Sequence, residues 1–231
     1  VCRTEHELTD SVRTKVARFC NVAPSAVIQS IDAETIYDVP LLLMEERLDQ
    51  VVLEKLGMAA VDEEPDLESW KKFLTQYQHP KSTVKVGLVG KYGELKDSYK
   101  SIAEALIHAG AHQEVDVQVD WIHSESITSK SAAEKLGGLD GIIVAPGFGS
   151  RGVDGKIETI QYARAACIPF FGICLGMQGA VIEFARNVIG LTDAHSTEIK
   201  EYTPDPVIDL MAEQKSIQNM GGTMRLGAYP C

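Results

Sequence analysis

The chain has 231 residues, a net charge of −11 and 45% apolar residues, a length and core content that suit one large domain or one domain plus part of another. The acidic balance argues against general nucleic-acid binding, and no run of about 18 apolar residues marks a membrane-crossing helix. Five cysteines at irregular spacing suit neither a disulfide framework nor a zinc site, so a reducing, cytoplasmic setting is expected.

The N-terminus is charged from the start and has no signal-peptide core, and the missing initiator Met suggests a beginning inside a longer protein. Thr9-Asp10 offers a cap for a helix of roughly 10 residues in which Val12, Val16 and Phe19 recur at helical spacing. Pro24 stops it, Ala26–Ile31 reads as a short strand, and Leu41–Leu56 as one amphipathic helix. The acidic stretch Ala59–Asp66 reads as a loop, and Leu67–Tyr77 as a helix with Trp70, Phe73 and Leu74 facing inward. Residues 1–77 thus form a small mixed region, with a polar, proline-containing linker at 78–83 and a second domain over 84–231.

From Val84 the pattern alternates between strands and helices. Strands are expected at Val84–Val89, Val115–Ile122, Gly141–Ala145 and Phe170–Ile173. Helices are expected at Asp97–Ala109 (ended by Gly110), Ser131–Leu136, Ile157–Ala166, and from Cys174 to about Val188. This alternation predicts an α/β fold with a doubly wound, mostly parallel sheet. Ligands in such sheets gather beyond the carboxyl ends of the strands, where turns fall at Gly90, Gly147 and Cys174.

Gly172-Ile-Cys-Leu-Gly176 has the glycine spacing of a nucleophile elbow, which would stand Cys174 on a sharp strand-to-helix turn. Attack by its thiolate on a carboxamide or ester creates an oxyanion that needs preorganised N–H donors. The Leu175 amide is one natural donor, and Gly147 in Pro146-Gly-Phe-Gly149 can supply the second, whereas Pro146 has no N–H. A base for the thiol is harder to name. His195 follows the nucleophile helix closely without an evident third group, and it reads as a solvated or capping histidine. Gly90-Lys91-Tyr92 lacks P-loop spacing, and Arg151, Lys156 and Arg225 read as surface charge with some potential for phosphate. No metal site is indicated.

With these residues laid out, the chain resembles the CTP synthase family. The resemblance is carried by Gly172-Ile-Cys-Leu-Gly-Met-Gln178, by Val89-Gly-Lys-Tyr92 with Asp97-Ser-Tyr-Lys-Ser101, and by Gly147-Phe-Gly-Ser-Arg-Gly152. Ala194-His-Ser-Thr-Glu198 and Gly221-Gly-Thr-Met-Arg-Leu-Gly227 extend it, and residues 1–60 resemble the end of the synthetase domain through Phe19-Cys-Asn-Val22 and Ile36-Tyr-Asp-Val-Pro40. The resemblance implies a flavodoxin-like class I glutaminase domain preceded by the C-terminal part of a synthetase α/β domain. It implies glutamine-dependent amination of UTP to CTP with ATP and Mg2+, activation by GTP, inhibition by CTP, and a cytoplasmic homotetramer.

Carried over by position, Cys174 is the implied nucleophile, Gly147 and Leu175 the oxyanion-hole amides, and Gln178 and Glu198 the glutamine-binding residues. Lys15 lines up with a UTP-binding lysine, Arg3 and Asp32 lie near the adenine pocket, and Arg151 and Arg225 are candidates for the GTP response. Two departures stand out: Ala145-Pro-Gly-Phe-Gly149 replaces the usual Pro-Gly-Gly-Phe-Gly, and His195 replaces a common Asn. The family's catalytic His and Glu are expected beyond Cys231, and its phosphate-binding start and magnesium carboxylates before Val1. Another cysteine-elbow γ-glutamyl hydrolase, or a non-catalytic interaction or regulatory fragment, are the competing readings.

Overall fold

The computed structural model describes residues 1–58, 65–92 and 96–209. The expected loop at Ala59–Asp66 and the motif Gly221–Gly227, with Arg225, lie wholly or mostly outside these residues. Contacts divide the chain into two compact units that meet at His79 and Pro80.

In the first unit, β1 (Cys2–Thr4) pairs in parallel with β2 (Gln29–Ile31). Between them, α1 (Asp10–Cys20) is capped by Thr9, whose side chain accepts from the Val12 N–H. The expected strand from Ala26 is shorter because Pro24–Ala26 forms a 3-10 turn. Ala17 is the residue of α1 that is buried, while Phe19 is 91% exposed despite its helical spacing with Val12 and Val16.

The single helix expected over Leu41–Leu56 is two, α2 (Val39–Glu45) and α3 (Leu48–Lys55), because Arg47 adopts a left-handed conformation with φ 58°. The break lies beside Glu46, whose carboxylate accepts from Arg13 Nη1 at 2.8 Å and from the Gln29 N–H at 3.1 Å. Helix α4 (Glu68–Gln78) brings Trp70, Phe73 and Tyr77 around Tyr37, and Trp70 Nε1 donates to the Tyr37 carbonyl at 2.9 Å.

The hydrogen bond from Arg13 holds the Glu46 carboxyl below its ordinary value of 4.5, against the opposing effect of burial. A depressed carboxylate contributes stability above its unfolded pKa and loses it as pH falls through the folded one. Glu46→Gln in the full-length protein is therefore expected to cost about 1 kcal/mol near neutrality. The difference from wild type should shrink below pH 4.5 in denaturant titrations at several pH values. A pH-independent difference would mean that Glu46 acts through packing alone.

The second unit is built on a four-stranded parallel sheet. Its strands are β3 (Ser82–Gly90), β4 (Val115–His123), β5 (Gly141–Val144) and β6 (Phe170–Gly172), in the order β4-β3-β5-β6. Ser82 and Thr83, read as linker, pair with Val115 and Asp116. The order reverses between β3 and β5, so the carboxyl ends of those two strands flank the switch point where doubly wound sheets bind ligands.

Alternate residues of the strands serve two cores. Val89, Ile142 and Val144 pack with Leu136, Ile160 and Ala163 from α6 (Ala132–Leu136) and α7 (Val153–Ala165). Leu88 and Ile143 pack on the other face with Tyr99 and Ile102, the latter from α5 (Lys100–Gln113). Helices therefore cover both faces, as an all-parallel sheet requires.

Helix α5 runs through Gly110 instead of ending there. A Cβ at Gly110 would lie 2.6 Å from the Val115 carbonyl oxygen, so that glycine permits close packing on β4, and the helix ends at Glu114 in a left-handed conformation. Helix α8 (Leu175–Phe184) ends earlier than expected and passes into a π-helical turn, Ala185–Ile189. The short strands β7 (His195–Ser196) and β8 (Pro206–Ile208) pair in parallel. Among the described residues no helix is long and apolar enough to cross a membrane.

Candidate active site

Strand β6 turns into α8 at Cys174, which has φ 54° and ψ −107° and forms the N-cap of the helix. A positive φ on a residue with a side chain is strained, and such strain persists only where the surroundings enforce it. Here they do. A Cβ at Gly172 would lie 2.6 Å from the Gly176 carbonyl, and one at Gly176 would lie 2.2 Å from the Val144 oxygen. The Ile173 N–H also donates to Val144 O at 3.0 Å, which fastens the turn to the end of β5. The thiol that results is exposed.

The segment after β5 lies against this elbow. Gly147 has φ 157°, and a Cβ built there would come within 3.9 Å of Leu175 Cδ2, 3.7 Å of Lys156 Nζ and 3.4 Å of Lys91 Cε. Among the described residues neither the Gly147 nor the Leu175 N–H has a hydrogen-bond acceptor. Gly147 thus lies against Leu175, the residue that follows the cysteine, and among the described residues both backbone N–H groups are open.

Gln178 lies one helical turn on, its N–H donating to the Cys174 carbonyl at 3.1 Å. Its Oε1 is buried and has no partner among the described residues, an arrangement that is costly until a donor meets it. Glu198 follows β7 and is exposed, with its N–H donating to Ser196 Oγ at 3.3 Å. Its neighbour Ile199 packs on the cluster of Leu175, Val153, Ile157 and Ile182, so this segment is anchored on the same helices that carry the elbow.

His195 Nδ1 accepts from the Ser196 N–H at 2.9 Å. In neutral imidazole the proton then sits on Nε2, which leaves no free lone pair to act as a base. Burial, then Arg186 and Lys200, push this histidine's pKa down.

At the switch point Lys91 Nζ donates to the Phe148 carbonyl and lies 5.2 Å from the centre of the Tyr92 ring. The Arg151 guanidinium stacks 5.6 Å from the same ring, donates to Lys91 O at 3.4 Å and faces Glu125 at 3.4 Å. Two cations thus converge on the Tyr92 ring at the switch point, one of them paired with Glu125.

Lys156 differs most from expectation. Read as surface charge, it is 1% exposed, with Nζ donating to Ala145 O at 2.7 Å and Pro146 O at 3.4 Å. The signal was present in the sequence: Val153, Lys156, Ile160 and Ala163 follow one another at spacings of three and four, along the buried stripe of α7. The contacts of Lys91 with Phe148, 57 residues away, carry no such signal.

In the first unit Arg3, in the middle of β1, and Asp32, just after β2, meet as an exposed ion pair. Asp32 also lines a cavity of about 350 Å3 with Leu41, Leu42, Glu34, Asp38 and Glu45. So many carboxylates disfavour a phosphate there. Lys15 lies exposed on α1 and is not part of this group. Among the described residues no group of three or more His, Cys, Asp or Glu side chains could hold a metal ion.

The glutamine amidotransferase class-I family profile matches residues 94–231, and that of the CTP synthase N-terminus matches residues 1–58. Over the whole chain, the sequence is 62% identical to a CTP synthase of Flavobacterium psychrophilum and 53% identical to one of Ruminiclostridium cellulolyticum. In each case it spans 43% of the relative's length. Among solved structures, the glutaminase domain of Trypanosoma brucei CTPS with bound acivicin matches 56% of this chain and 50% of its own, at 40% identity and a TM-score of 0.53.

Proposed function

The chain belongs to the glutamine amidotransferase class-I family and resembles CTP synthases along its full length, and from that premise we propose that it carries the glutaminase half-site of a CTP synthase. The observation that supports this reading best is the exposed thiol on a strained elbow beside two backbone N–H groups that have no acceptor.

In this reading Cys174 Sγ attacks the side-chain carboxamide carbon of glutamine. The C–S bond forms as the carbonyl π pair moves onto oxygen, and the N–H groups of Gly147 and Leu175 donate to that oxyanion. Collapse breaks the C–N bond and releases ammonia, which takes its proton from the histidine that the family resemblance implies beyond Cys231. Water then hydrolyses the glutamyl thioester to glutamate. Gln178 and Glu198 hold the amino-acid end of glutamine, with the Glu198 carboxylate on its ammonium group. The T. brucei relative binds acivicin in the matching domain, which favours a glutamine-like ligand here.

The ammonia aminates UTP at the expense of ATP in the synthetase part, to which residues 1–77 contribute Lys15 towards UTP and Arg3 and Asp32 towards adenine. That step uses ATP together with Mg2+. GTP acts as activator near Arg151 and Arg225, CTP as inhibitor, and the protein works in the cytoplasm as a homotetramer. The match of residues 1–58 to the CTP synthase N-terminus favours this over a free-standing γ-glutamyl hydrolase, which needs no such segment.

The test uses the full-length protein. With glutamine, ATP, Mg2+ and UTP it should form CTP and glutamate in equal amounts, and acivicin should label Cys174 in a peptide map. Glutamate release without any UTP-dependent CTP would overturn the synthase reading and leave a hydrolase. Absence of both products would overturn the enzyme reading.

A further inference from the structure

Lys156 is a buried cation with no carboxylate partner among the described residues. Among the described residues its ammonium forms no ion pair, and its hydrogen bonds go to two backbone carbonyls, those of Ala145 and Pro146. Keeping a charge in such a place is costly, and burial pushes its pKa down to about 8, with a further lowering from Lys91 and an opposing pull from Cys174. Glu183, the other charged side chain buried to this depth among the described residues, is by contrast gripped twice by Arg164, at 2.8 and 3.0 Å. A lone buried charge that carries a cost usually marks function.

The two carbonyls belong to the segment that leads into Gly147. The Pro146–Gly147 peptide bond is trans, so its C=O and N–H point in opposite directions. With the Pro146 oxygen turned to Lys156, the Gly147 N–H is turned away from it and left without an acceptor. Lys91 holds the next carbonyl but one, that of Phe148. The residue that precedes Gly147 is a proline, which has no N–H, so this turn offers only the Gly147 N–H and its direction matters more.

We propose that Lys156 is a positioning residue for glutamine hydrolysis: by holding the Ala145 and Pro146 carbonyls it keeps the Gly147 N–H open to the oxyanion formed at Cys174. Its charge also favours the anions that arise beside it. The proposal rests on the glutaminase reading above. The oxyanion exists in the transition state and hardly in bound glutamine, so the effect falls on kcat and spares KM.

Lys156→Met and Lys156→Arg in the full-length protein, assayed with glutamine and separately with ammonia, test it. Lys156→Met should lower kcat for glutamine about ten- to a hundredfold, within the range for one oxyanion donor or less, with KM changed less than about threefold. Ammonia-dependent CTP formation should stay at the wild-type rate, and Lys156→Arg should recover part of the loss. A wild-type kcat in Lys156→Met, or an equal fall with ammonia, overturns the proposal. If Lys156→Met does not fold, Lys156→Gln takes its place: its shorter, uncharged side chain should lower the glutamine kcat in the same selective way, and an unchanged kcat there overturns the proposal. Wild-type protein that releases no glutamate overturns the glutaminase reading instead, and the proposal with it.

Discussion

Cys174→Ala in the full-length protein is expected to remove glutamine-dependent CTP formation, by about 10^4-fold or more, and to leave ammonia-dependent formation intact. The size follows from the chemistry: without Sγ no thioester can form, and the Gly147 and Leu175 donors have no tetrahedral intermediate to stabilise. The side chain is exposed, so its loss removes little packing and stability should stay within about 0.5 kcal/mol of wild type. Cys174→Gly goes further, because glycine tolerates the φ of 54° and should leave the protein at least as stable as wild type. Parallel assays with glutamine and with ammonia, together with denaturant unfolding, read all three effects. Loss of both activities, or a large drop in stability, would make Cys174 a structural residue.

Gly176→Ala should cost about 4 kcal/mol or more, or else move α8 and abolish glutamine hydrolysis. Alanine in place of glycine inside a helix normally gains up to about 1 kcal/mol, so the sign here is opposite to the usual one. The reason is the added Cβ, which would meet the Val144 oxygen at 2.2 Å and the Val144 carbonyl carbon at 3.0 Å. Both atoms belong to the backbone of β5 and cannot step aside. Gly179→Ala, in the same helix, is the control. Its Cβ would meet Ile160 Cδ1 at 3.0 Å, the end of a flexible side chain, so its effect should stay within about 1 kcal/mol. Urea midpoints and glutaminase rates for the two variants separate the cases. Equal behaviour would mean that the elbow has no need of a glycine at 176.

Local chemistry made much of this legible beforehand. The sheet of the second unit follows from apolar runs too short for helices, and the elbow from two glycines that flank a cysteine. Each of these signals spans only a few residues. Signals were misleading where a residue's local tendency is decided by distant partners. Arg47 splits the expected helix over Leu41–Leu56 beside a glutamate tied to Arg13 and Gln29. Gly110 looked like a helix stop and is a contact surface for Val115.

The sequence by itself determined that a cysteine thiol would stand at a strand-to-helix turn, because only backbone stereochemistry and spacing are involved. Only the tertiary structure decided what surrounds that thiol. The Gly147 N–H is left open because a lysine nine residues further on turns inward under the segment, and Lys91 reaches Phe148 across 57 residues of chain. Hydrogen bonds and burial of this kind depend on which strands lie side by side. That pairing brings β3, β5 and β6 together from stretches far apart in the chain.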